Sequence, residues 1–239
     1  MTSYLKSEIL CIFMETEKDS LGTGWEVRRS GLRYAKKLCF GVAQYLDPIF
    51  TFTDGGKFCA LQPKAPLESA STRKVFAQIF GKPGSGPAQI NLQMRGCGVK
   101  DRRSSLWKER FNSANLEFIE LEVKELPREK GCYQKNELPL FLAELRKTVD
   151  AIVLSDYDIS SERSFLESLP RSYKIENLTE NYYGIPYGGA EAFAIARLLC
   201  GEINVFERIR ASGISFGPVW SRNLARVEEF ANEIEPLAV

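Results

Sequence analysis

Apolar and polar positions along the chain recur with two different spacings, and each spacing predicts a different element. Over residues 25–46, Leu32, Ala35, Leu38, Cys39, Val42 and Leu46 fall on one side of a helical projection, while Arg29, Arg33, Lys36 and Lys37 fall on the other. Recurrence at i+3, i+4 and i+7 is the helical period, so a helix is expected there. Residues 49–53 and 57–62 are short runs rich in Phe and Thr on either side of Asp54-Gly55-Gly56. Glycine reaches positive φ without steric cost, so this pattern predicts a β-hairpin. Residues 72–80 read as a helix with Ser71 as its cap, 136–149 as a helix, 160–169 as a helix closed by Pro170, 189–200 as a helix opened by Gly188-Gly189, and 221–234 as a last amphipathic helix. Strands are expected over 7–14, 89–94, 116–126, 151–155 and 173–178, where apolar residues alternate or run together.

From residue 115 onward this reading alternates strand and helix, which favours a sheet with helices on its faces. The expected fold class is therefore α/β: a mixed, partly parallel sheet flanked by helices, with an irregular α+β N-terminal part that contains the hairpin. One domain over 1–239 is expected. The alternative is a basic α+β part, 1–87, followed by an α/β part, 88–239. The Gly- and Pro-rich stretch 81–87 lacks the order of a phosphate-binding loop, and Pro83 and Pro87 have no backbone N–H to offer, so it reads as a linker.

Composition changes this picture in two ways. The 239 residues include no histidine, which removes Ser-His-Asp and Cys-His catalysis and histidine metal sites. The net charge of +1 hides an asymmetry: residues 1–112 carry 18 Lys and Arg against 10 Asp and Glu, and residues 113–239 carry 14 against 21, so the halves are +8 and −7. Such polarity points to a phosphate-bearing partner on the basic side, or to copies of the chain joined basic face to acidic face. The six cysteines are never closer than 20 residues in sequence, and no secretion signal opens the chain, so free thiols and a cytoplasmic location are expected. No apolar run is long enough to cross a bilayer, so no membrane partner is expected.

Three groups of residues carry candidate chemistry. The run Asp150-Ala-Ile-Val-Leu-Ser-Asp156-Tyr-Asp158 reads as a buried strand ending in two carboxylates, and ligands of open α/β sheets lie at the carboxyl ends of strands. Asp156 and Asp158 are thus candidate ligands for magnesium, a hard cation that prefers carboxylate oxygens. The alternating segment 119–124 puts Glu120, Glu122 and Lys124 on one strand face. Glu120 is a third candidate metal ligand, and Glu122 with Lys124 form a candidate catalytic pair. The basic side supplies candidate nucleic-acid contacts: Arg29, Arg33, Lys36 and Lys37 on the helix expected over 25–46, and Arg102 and Arg103 beside Trp107, where guanidinium groups and an indole could hold a phosphate and a stacked base. Tyr182, Tyr183 and Tyr187, ahead of the helix that starts near 189, are a weaker place for an anion or a base.

Two functions from different classes follow. The first is magnesium-dependent phosphoryl transfer, as a phosphodiesterase or nuclease on nucleic acid, with a sugar-nucleotide transferase as a further enzymatic alternative. The second is a non-catalytic nucleic-acid-binding or assembly protein that uses its basic N-terminal half. The first requires the two acidic clusters to converge; the second requires only exposed cations.

Overall fold

The computed structural model describes residues 4–53, 58–61, 63–84, 86–90, 117–120, 132–133, 138–169, 189–211 and 217–238. Helix α1 (Tyr4–Asp19) is followed by strands β1 (Trp25–Arg28), β2 (Arg33–Cys39), β3 (Val42–Leu46), β4 (Phe50–Thr53), β5 (Phe58–Leu61) and β6 (Ala65–Ser69). Helix α2 (Ala70–Phe80) and strands β7 (Ala88–Ile90), β8 (Glu117–Glu120) and β9 (Cys132–Tyr133) come next. The described remainder is helical: α3 (Leu138–Asp156), α4 (Glu162–Ser168), α5 (Ala190–Leu199), α6 (Val205–Ala211), α7 (Pro218–Glu229) and a 3-10 turn, Ala231–Glu233.

The expectation of a partly parallel sheet flanked by helices is wrong. Strands run in the order β1-β2-β3-β6-β7 in a five-stranded antiparallel sheet, and the helices lie mostly apart from it in sequence. A second sheet, β4-β5-β8-β9, has antiparallel β4–β5 and β5–β8 pairs and one two-residue parallel contact, β8 with β9. The expected alternation of strand and helix after residue 115 fails because every described element from 138 onward is a helix.

Three local readings changed, each for a physical reason. Residues 25–46 form strands, not a helix. Trp25 and Val27 point inward while Glu26 and Arg28 point out, a period of two, and Gly31 and Gly41 at φ 90° and 84° turn the chain between strands. The cross-strand pairs Trp25 opposite Lys36 and Val27 opposite Tyr34 put the apolar side chains on one face.

Residues 7–14 lie within helix α1. Its buried positions Ile9, Phe13 and Thr16, continued by buried Ser20, are spaced by four, three and four, which only a helix places on one side. Residues 151–155 belong to α3, whose buried stripe Leu142, Leu145, Val149 and Val153 runs straight through the run that looked like a strand. Leu154, off that stripe, is 70% exposed.

Several other expected elements are present, with corrections at their ends. The hairpin is present, with Phe50 opposite Leu61 and Thr53 opposite Phe58. The helix expected from 72 is α2, but its cap is Ser69, whose hydroxyl accepts from the Thr72 N–H. The helix expected over 160–169 is α4, capped by Ser161. The strand expected over 89–94 is described only to Ile90. Residues 121–126 and 173–178 lie outside the described residues. Among the described residues no helix is long and apolar enough to cross a membrane.

The chain divides into two compact units. One comprises residues 1–36, 45–65 and 92–151. Its core holds Ile9, Phe13, Trp25, Tyr34, Leu142 and Leu145, with the Phe13 and Tyr34 rings 4.9 Å apart. Burying each large side chain contributes roughly 2 kcal/mol.

The other unit comprises residues 37–44, 66–91 and 152–239. It is built round α5, all ten residues of which are buried, with α2, α4, α6 and α7 packed against it. A helix buried on every side explains the run Ala-Glu-Ala-Phe-Ala-Ile-Ala: alanines let neighbouring helices approach closely. Gly201, at φ 85°, then ends the helix in the left-handed conformation.

Candidate functional site

Strand geometry redistributes the basic residues of the first half. On β2, Arg33 and Lys37 alternate with Lys36, so the single helical stripe expected of Arg29, Arg33, Lys36 and Lys37 does not form. Arg33 is held in a fork by Asp47, with both N–H···O distances at 2.6 Å, and its guanidinium stacks 4.5 Å from the Tyr45 ring centre. Lys36 donates to the Asp150 carboxylate at 3.0 Å, and the Trp25 indole N–H donates to the same oxygen at 3.1 Å. Arg29, in the turn after β1, is 79% exposed, with Glu17 a loose 3.9 Å away. Lys37 is exposed. Two of the four cations are therefore fixed by carboxylates and two project outward. Arg102, Arg103 and Trp107 lie outside the described residues.

The acidic candidates change setting too. Asp156 is the last residue of helix α3, not the end of a strand, and Ser155 Oγ donates to it at 2.8 Å. The Asp158 carboxylate accepts the Ser160 N–H at 2.9 Å. Hydrogen bonds from the Ser160 side chain and backbone hold this exposed carboxyl below its ordinary value, because they favour the ionised form. Such a bond is the ordinary device for turning a chain out of one helix and into the next. Asp156 and Asp158 therefore follow a helix and do not lie at the carboxyl end of a strand.

Glu120 ends β8, where its backbone pairs with Phe58 of β5. Glu122 and Lys124 lie outside the described residues. Among the described residues no three Asp, Glu, Cys or His side chains cluster as a metal site.

The carboxylates that the fold does use were not conspicuous in the sequence. Glu162, in the first turn of α4, reaches the start of α2. One oxygen accepts from Ser69 Oγ at 2.7 Å and from the Ser71 N–H at 2.8 Å, and the other accepts from Ser71 Oγ at 2.9 Å. A carboxylate at a helix N-terminus meets free N–H groups and the positive end of the dipole, so the chain fills that anion position itself. Gly41 makes room for it: a Cβ there would lie 2.4 Å from Glu162 Oε2, and the backbone is at φ 84°. Gly41→Ala will destabilise the protein by roughly 2–3 kcal/mol, because strain and displacement of the carboxylate act together. Urea denaturation measures it, and a loss under about 0.5 kcal/mol would show that Glu162 relocates freely.

Buried arginines form the other clamps. Arg197 on α5 is 1% exposed. It donates to the Leu166 carbonyl at 2.9 Å and the Leu169 carbonyl at 3.4 Å, and it pairs with Glu202, which Arg208 also holds at 2.9 Å. It thus places positive charge on the carbonyl end of α4, where the dipole is negative. Arg146 on α3, 4% exposed, stacks over the Tyr34 ring at 4.6 Å and donates to Ser20 Oγ at 3.0 Å. Thr16 Oγ1 and the Tyr34 hydroxyl are hydrogen-bonded at 2.6 Å in the same cluster.

Two of the described thiols, Cys39 and Cys200, are shifted away from the thiolate form. Burial, and then the negative charge of Glu162, pushes the Cys39 thiol up. Burial does the same to Cys200. Both are thereby held further from the nucleophilic thiolate. Gly189 caps α5 without a side-chain bond, and the tyrosine-rich approach to it, residues 182–188, lies outside the described residues.

Compared with protein-family models, curated proteins and solved structures, the chain matches none.

Proposed function

We propose that the chain is a non-catalytic binding protein for a phosphate-bearing polymer, with single-stranded nucleic acid the best fit, held by its basic N-terminal half. The observation that carries this reading is the division of labour among the charges. Asp47, Asp150, Glu162 and Glu202 each fix a cation or a helix end, whereas Arg29 and Lys37 remain turned outward. Residues 91–112 add six further cations against two acids, with Trp107 among them. Cations neutralise phosphates without regard to sequence, and an aromatic ring adds stacking worth about 1–3 kcal/mol per base.

The magnesium-dependent phosphodiesterase is the competing reading. It needs Asp156, Asp158 and Glu120 around one Mg2+, with Glu122 and Lys124 at the reacting phosphate. One Asp158 oxygen already accepts the Ser160 N–H in a turn, which weighs against a role as a metal ligand.

Fluorescence anisotropy of labelled single-stranded RNA and DNA against the full chain tests the proposal. If four phosphates are neutralised, at about 0.7 counterions released per contact, affinity will fall about 50-fold between 50 and 200 mM salt. Absence of binding at 50 mM salt, or binding indifferent to salt, would overturn it.

A further inference from the structure

We draw no further inference here: the strongest candidate, the buried Glu191 carboxylate in the first turn of α5, whose Oε1 accepts from Asn223 at 3.2 Å and whose Oε2 has no hydrogen-bond partner among the described residues, is one acid at a helix N-terminus, and nothing in the structure shows what would occupy it.

Discussion

Arg197→Ala will lower the stability of the protein by about 3–5 kcal/mol, a fall of roughly 10 °C in Tm for a chain of this size. Three losses combine. The Leu166 and Leu169 carbonyls lose the Arg197 guanidinium, Glu202 loses Arg197 while keeping Arg208, and a cavity opens beside a helix that is buried throughout. Arg197→Met separates the causes, because it keeps the aliphatic stem while removing the donors. Its loss should be intermediate, and thermal unfolding followed by tryptophan fluorescence measures both variants. An alanine variant within about 1 kcal/mol of the parent would mean that the α4 end finds water or another donor.

The second large effect concerns binding. Arg102→Ala combined with Arg103→Ala will weaken single-stranded RNA binding and flatten its salt dependence. Removing two phosphate contacts lowers the slope of log affinity against log salt by about 1.4, which is about sevenfold over a fourfold change in salt. Arg33→Ala is the informative comparison. Its guanidinium is already forked onto Asp47, so its loss should affect stability more than affinity. If the Arg33 variant loses as much binding as the Arg102/Arg103 pair, the paired cations take part in recognition and the division of labour argued above is wrong.

What the sequence disclosed depended on how far each element relies on its neighbours. The β4–β5 pairing was legible because Phe-Thr runs flank Asp54-Gly55-Gly56, a local turn signal in the sequence. Helix α5 was legible because Gly189 and Gly201 bracket a run of strong helix formers.

The segment 25–46 misled because a run such as Arg-Tyr-Ala-Lys-Lys-Leu projects nearly as well at 3.6 residues per turn as at two. Gly31 and Gly41 were the signals to weigh, since both sit in the left-handed region between strands. Residues 151–155 misled through their composition. Ala-Ile-Val-Leu suits a buried strand, yet no Gly or Pro separates it from the Leu142–Val149 stripe upstream, and the helix continues.

The same composition placed Asp156 at the end of a strand, whereas it is the last residue of helix α3. The clamps of Glu162 and Arg197 were not legible at all. Their partners lie 91–93 and 28–31 residues away in sequence, and no local pattern encodes a contact of that separation.

The most direct measurement is one binding titration run twice, with labelled single-stranded RNA at 50 mM salt in excess EDTA and in magnesium, followed by a gel of the recovered probe. Saturable binding under both conditions and an intact probe are expected. A probe cut only in magnesium, and spared by Asp156→Asn or Asp158→Asn, would contradict the binding reading.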